Sequence, residues 1–301
     1  MKSTISKQLE KVEQLAKASK WGRLLHHPYR YLSAYLFRKL SYPKKKEEWI
    51  IEAPLFFGKK MQIALPAATD IYLTGGKSHD SEIRLAKFLI NNLEEGRHFL
   101  DIGAHYGYFS MLAAELLGPS GKVVALEPAT KSYGLLAQNL KSISNAIALQ
   151  KAVSKEEGIL KFYEFPNQYS EYNSTDITQF EGEAWFKASP PRCIEVSTTT
   201  IDKLTATSDF LPQIIKIDVE GAEFLVMQGA RHHLSKHKPI LVMEYLEPAR
   251  HNQSHSQAFD FLKSLGYNSF VIKSDGSLAT IENIDLYLEQ NKLESDNIVF
   301  K

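Results

Sequence analysis

Asp101, Glu127, Asp218 and Glu244 each stand at or beside the end of a short apolar run. In an α/β sheet, acids at the carboxyl ends of buried strands face the crevice where ligands bind. There a carboxylate can hold a cation, accept hydrogen bonds from a ribose diol, or take a proton from a hydroxyl. Glu220 follows Asp218 by two residues and adds a second acid to that strand end.

The setting of Asp101 narrows the ligand. It precedes a tight turn bracketed by Gly103 and Gly107, with Ala104 and His105 between them. Tyr108 then opens a helix-spaced apolar run that stops at Gly118 and Pro119. Strand, glycine turn and helix open a nucleotide-binding unit, and glycine lets backbone approach a ligand where a Cβ would clash. In a dinucleotide fold the turn receives a pyrophosphate, which Asp101 would repel. A ligand with a cationic head and no phosphate is attracted instead. S-adenosylmethionine, with its sulfonium and ammonium, is such a ligand. Glu127, twenty residues past Gly107 and followed by Pro128, ends the next apolar run, where an acid binds a ribose diol. Ala152 and Val153 follow the third run, where an adenine would lie. The competing reading is a structural turn with two helix-capping acids.

The elements that must position these groups follow from hydrophobic spacing. Strands are expected at 99–102, 122–126, 146–150, 213–217, 239–243, 267–273 and 297–301, with helices at 81–94, 108–117, 131–143, from 220 to 230, and 255–265. Seven strands with interleaved helices predict a doubly wound α/β sheet. Upstream, WIIEA, MQIALP and DIYLT within 49–74 read as short strands, and Asp80 as a helix cap. Segments 159–165 and 193–198 alternate and can pair. The long aromatic stretch 166–192 between them is expected to be a substrate-facing lid or an ordinary surface excursion.

Composition bounds the rest. In 301 residues, 44% apolar and 24% charged content describes a globular chain rather than a disordered one. A single cysteine, Cys193, excludes an internal disulfide framework and a cysteine metal cluster. Without a signal-peptide pattern or a long apolar run, a cytoplasmic location is expected. Charge is divided unevenly: residues 1–46 hold 12 Lys/Arg and two Glu, whereas the remainder holds 24 Lys/Arg against 33 acids. A basic helical extension over 1–48 is therefore expected ahead of a catalytic domain at 49–301. Its aromatic, aliphatic and basic residues fit either a peripheral anchor at the inner membrane face or an arm packed on the body or on a second subunit. No nucleic-acid partner is expected.

DIGAHYGYFS, VVALEP, TTTIDKL, PILVMEY and above all IIKIDVEGAEFLVMQGA resemble the FkbM-type methyltransferases, over about residues 80–300. The resemblance implies a class I, S-adenosylmethionine-dependent methyltransferase fold with strand order 3-2-1-4-5-7-6 and one antiparallel strand near the edge. The implied activity is O-methylation of a hydroxyl on a sugar, polysaccharide or secondary metabolite, so the acceptor is a small molecule or glycan. His105 departs from the Asn usual in that family. Glu82 matches an upstream acid that holds the methionine amino group.

On this reading the cofactor contacts are Glu82, Asp101, Gly103, Ala104, His105, Gly107, Tyr108, Glu127, Pro128, Ala152, Val153 and Asp218. Asp218 and Glu220 are the candidates for general base or hydroxyl orienter. Glu223, in the first helical turn, reads as a cap, and His233, His251 and His255 as surface residues. Asp218, Glu220 and Glu244 can converge at neighbouring strand ends, where a magnesium ion is conceivable; the metal-free reading is preferred. Two other classes remain open: a noncatalytic scaffold of the same fold, and a nicotinamide oxidoreductase, which Asp101 disfavours.

Overall fold

The computed structural model describes residues 1–177, 180, 182, 184–206, 209–250 and 252–301. The basic extension forms α1 (Lys2–Lys17), α2 (Lys20–His26), α3 (Pro28–Leu36), a π-helical turn (Phe37–Ser41) and α4 (Tyr42–Lys45). Pro28 opens α3 at its first turn, where its missing N–H costs nothing. Ile5, Leu9 and Val12 of α1 are buried against the body, so the extension is seated on it.

A hairpin follows, β1 (Trp49–Pro54) with β2 (Lys60–Leu65), then α5 (Thr69–Thr74) and α6 (Asp80–Asn92). DIYLT, expected as a strand, is thus helix α5. Asp70 lies in its first turn, Ile71 and Tyr72 are buried, and Gly75 ends it in the left-handed region. Asp80 does not cap α6; its carboxylate takes Arg84 at 2.8 Å, and no side chain caps that helix.

The doubly wound portion then runs through β3 (His98–Ile102), α7 (Tyr108–Leu117), β4 (Lys122–Leu126), α8 (Thr130–Leu140), β5 (Ala146–Leu149), β6 (Ala152–Val153), β7 (Gly158–Glu164), β8 (Arg192–Thr199), α9 (Ile201–Leu204), β9 (Pro212–Ile217), α10 (Glu223–Gln228), α11 (Arg231–His237), β10 (Ile240–Leu246), α12 (Gln253–Ser264), β11 (Ser269–Ile272), β12 (Leu278–Ile281), α13 (Ile284–Asn291) and β13 (Ser295–Phe300). The main sheet is ordered β12-β11-β13-β10-β9-β3-β4-β5. Strands β5, β4, β3, β9 and β10 are mutually parallel, whereas β13 and β11 run antiparallel to their neighbours. The expected seven strands are eight, because β12 adds a hairpin partner to β11 at the edge. Its sequence, Leu278–Ile281, is too short to carry a readable alternation.

Alternate residues of each strand feed two cores, one on each face of the sheet. Phe99, Val123, Ile214, Val242 and Val299 pack on one side with α6 and α7; Leu100, Leu126, Ile215, Leu241 and Ile298 pack on the other with α10 to α13. Arg84 ties α6 to the far side of the sheet, donating to the Ile272 carbonyl at 2.7 Å and to Asp296 at 2.9 Å, both buried. A separate small sheet, β6-β8-β7, covers the carboxyl end of β5, and in it 158–164 and 192–199 do pair.

Candidate active site

The backbone sets the floor of the site. Gly103 follows β3 at φ 75°, and a Cβ there would lie 1.7 Å from the carbonyl oxygen of Asp218. The ends of β3 and β9 therefore touch through backbone alone, which only glycine permits. Gly107 has a related role at the start of α7: at φ 91° a Cβ would meet the Leu136 side chain at 2.7 Å, so the glycine lets α7 close on α8. His105 also adopts a left-handed conformation, at φ 50°. Its N–H donates to Glu127 at 2.8 Å, its Nε2 lies 3.0 Å from Ser170 Oγ, and its ring stacks on Tyr106.

A cavity of about 360 Å³ opens over this floor, within the range of small-molecule sites. Of the expected contacts, Glu82, Gly103, His105, Glu127, Pro128, Ala152, Val153 and Asp218 line it, as do Glu220 and Glu244. Ala104 and Tyr108 line a recess of about 40 Å³ that shares His105, Lys216 and Asp218 with the main space. Asp101 and Gly107 line neither. Asp101 is buried behind the wall, where Oδ2 accepts from Ser110 at 2.5 Å and Oδ1 faces the Lys216 ammonium at 3.7 Å. Lys216 links it to the cavity-lining Asp218.

Lys216 is the residue that periodicity alone passed over. It is buried on β9, 3.0 Å from Asp218 and 5.6 Å from the Phe109 ring centre. Burial works against the ammonium, but Asp218 and Asp101 outweigh it and hold the lysine above its ordinary pKa. The signal was present: a lysine inside IIKI, two residues before Asp218, shares that residue's face of the strand.

Across from the strand ends lies the start of the 166–192 excursion, whose residues 167–172 form a 3-10 turn. Ser170, Glu171, Tyr172, Asn173 and Thr175 face the cavity from it. The turn is pinned to the floor by Ser170 on His105 and by Ser174, whose hydroxyl donates to the Glu220 carbonyl. Glu171 takes Lys77 at 2.6 Å, and Lys77 also reaches Glu82 at 3.0 Å. Lys77 drives Glu171 down to about 2, whereas burial raises Glu82 to about 7. Lys77 therefore bridges the two acids, with the shorter contact to Glu171. Positions 77 and 171 are too far apart in sequence for spacing to have linked them.

The acids divide by environment. Burial raises Glu127 to about 7, although its two oxygens accept from the backbone N–H groups of His105 and Ala129. Glu244 accepts from Ser295 at 2.7 Å and is also raised to about 7, by burial and by the Asp218 charge. Burial, then Glu244 and Asp218, push Glu220 well above the carboxylate range. Carboxylate oxygens of Asp218, Glu220 and Glu244 lie within 4.8 Å of one another. Glu223, expected as a cap, accepts from the Gly221 N–H at 3.0 Å ahead of α10; it also forms a buried pair at 3.3 Å with His255, which was expected at the surface. His233 is buried as well, and His251 lies outside the described residues.

These residues fit an adenosylmethionine ligand. A carboxylate carries about four lone-pair sites, so Glu127 keeps acceptor capacity for a ribose diol beside its two backbone bonds. Pro128, Ala152, Val153 and Phe162 supply an apolar end for adenine, and the acids of β9 and β10 face the end that would carry the cationic groups.

A doubly wound sheet with this acid-lined cleft defines a class I methyltransferase architecture. Residues 101–269, more than half of the chain, match the methyltransferase FkbM domain model. The chain belongs to the FkbM methyltransferase family, whose methyl donor is S-adenosylmethionine. Among curated proteins it is 29% identical over 185 residues to methyltransferase sdnD of Sordaria araneosa, covering 53% of this chain and 70% of that one. Among solved structures, methyltransferase FkbM of Methylobacillus flagellatus KT aligns with a TM-score of 0.44 and 16% identity, over 78% of this chain and 52% of that one. The chain thus spans about half the length of that relative. An O-methyltransferase of Bacillus cereus, in complex with S-adenosylhomocysteine, aligns with a TM-score of 0.39 and 12% identity over 72% of this chain and 78% of its own.

Proposed function

We propose that the chain methylates a hydroxyl of a polyhydroxylated acceptor, a sugar or a hydroxylated secondary metabolite, with S-adenosylmethionine as donor. The observation that carries this reading is that Glu244 and Glu220 share one cavity lining with small polar groups, Ser170, Asn173 and Thr175. Hydroxyl and amide side chains match an acceptor rich in hydroxyls, and a carboxyl near neutrality is matched to accepting a hydroxyl proton.

Bound S-adenosylmethionine supplies an electrophilic methyl on a sulfonium. Glu127 would hold the ribose diol, and Ala152 and Val153 the adenine. The chain's own groups do the rest. Glu244, fixed by Ser295, accepts the proton of the acceptor hydroxyl. Glu220, whose hold on a proton is strengthened by burial and by the neighbouring acids, would donate a hydrogen bond to an adjacent acceptor oxygen. Asp218, whose Oδ2 is engaged by Lys216, orients rather than abstracts. The 167–172 turn excludes water from above.

Methyl-labelled S-adenosylmethionine offered with a panel of monosaccharides, glycans and phenols tests the reading. Label recovered in an ether linkage on a hydroxylated acceptor supports it. Label recovered on nitrogen or carbon, with no ether formed, would overturn it.

A further inference from the structure

We propose that the outward face of residues 21–40 is a docking surface for an anionic lipid membrane. The arm is fixed to the body by one side only. Ala34 is buried, Arg30 donates to the Tyr72 carbonyl at 3.5 Å and lies over the Tyr72 ring, and Phe37 packs on Trp49. The other side carries Trp21, Leu25, Tyr29, Leu32, Leu36 and Leu40, which are 75%, 80%, 77%, 50%, 51% and 58% exposed. Within α2 the pair Trp21 and Leu25, and within α3 the set Tyr29, Leu32 and Leu36, follow helical spacing, so each helix carries an apolar stripe in solvent. Exposed apolar residues grouped in this way mark an interaction site.

The flanking charge identifies the occupant. Residues 18–46 contain eight Lys/Arg and no acid. A second copy docked face to face by a two-fold axis would set cations against cations. Anionic headgroups neutralise them, while Trp21 and Tyr29 suit the boundary between headgroups and acyl chains, where an apolar ring and a polar tip are both satisfied. No helix among the described residues is long and apolar enough to cross a membrane, so the contact is peripheral. The arm also adjoins the site: Arg38 lines a groove with Lys77, His79 and Glu82, and those three line the main cavity as well. The arm therefore borders a groove that shares its lining with the main cavity.

Co-sedimentation of the full chain with phosphatidylcholine vesicles, with and without phosphatidylserine, tests the proposal. Binding to the phosphatidylserine vesicles is expected at low salt, falling as salt shortens the screening length. Trp21→Ser, Leu25→Ser and Leu36→Ser together should weaken it at least about tenfold, since apolar insertion and charge act jointly. Because all three side chains are exposed, thermal unfolding and S-adenosylhomocysteine binding of the triple variant should be unchanged. Failure of the full chain to sediment at low salt, or equal sedimentation by the triple variant, overturns the proposal. So does a dimer of the full chain, seen by light scattering, that the triple variant dissolves while neither protein binds vesicles, because a second copy would then cover the face.

Discussion

Lys216 sets its ammonium 3.0 Å from Asp218 and 3.7 Å from Asp101, so one buried cation joins an acid that lines the cavity to one that does not. Two carboxylates on the same face of neighbouring strands would repel each other in this low-dielectric setting. The lysine relieves that and engages one oxygen of Asp218. In the proposed mechanism the proton is accepted by Glu244, which carries no such cation partner among the described residues.

Glu244→Gln should lower kcat by roughly 10²–10⁴-fold, the usual scale for a positioned base, with S-adenosylhomocysteine affinity little changed. The wild-type kcat should rise with pH through about 7, as the Glu244 carboxyl loses its proton. Asp218→Asn should cost less in kcat than Glu244→Gln. A flat pH profile together with full activity of Glu244→Gln would move the proton to another group.

Glu127→Ala should weaken S-adenosylmethionine by about 1–3 kcal/mol in calorimetry, the cost of lost ribose hydrogen bonds. The same residue leaves a signature on stability. Burial raises its folded pKa from 4.5 to about 7, so its stabilising contribution is complete below the unfolded value and is lost as pH rises through about 7. Between about pH 5 and pH 8, urea unfolding of Glu127→Gln relative to wild type should therefore shift in favour of the variant by about 1–3 kcal/mol. A pH-independent difference would contradict the shift.

Activity should survive EDTA. Lys216 already neutralises Asp218, and Ser295 already satisfies one oxygen of Glu244, which leaves the acid cluster less in need of a cation. Loss of turnover in EDTA that magnesium restores would make Asp218, Glu220 and Glu244 ligands instead.

Gly103→Ala should destabilise the protein by more than about 2 kcal/mol, because the new methyl would be driven into the Asp218 carbonyl at a positive φ. Gly134→Ala is the control: nothing lies within 4 Å of its Cβ position, and helix α8 gains propensity. Chemical denaturation of both variants decides the matter.

Much of the fold was legible because it rests on short-range periodicity. Apolar runs closed by acids mark the strands, and the glycine turn after β3 and the IKIDVEGAE segment mark the floor and wall of the site. Glu127, Asp218, Glu220 and Glu244 were visible from their positions at or beside strand ends, and Glu82 from the family resemblance. Where local pattern was short or ambiguous it misled. DIYLT alternates like a strand but is wound into α5, since capping by Gly75 and burial of Ile71 and Tyr72 against the core outweigh its β-branched content. β12 and α13 carried too few residues to be read.

The sequence by itself determined the family, the donor and the acids at the strand ends, because each depends on residue types at short fixed spacings within individual βα units. Only the tertiary structure decided what those acids do. It buried Asp101 behind Lys216, paired Lys77 with Glu171 across 94 residues, and buried Glu220 beside Glu244 and Asp218, which raises its affinity for protons. Charge interaction and desolvation depend on distance through space and on burial, and neither is a function of separation along the chain.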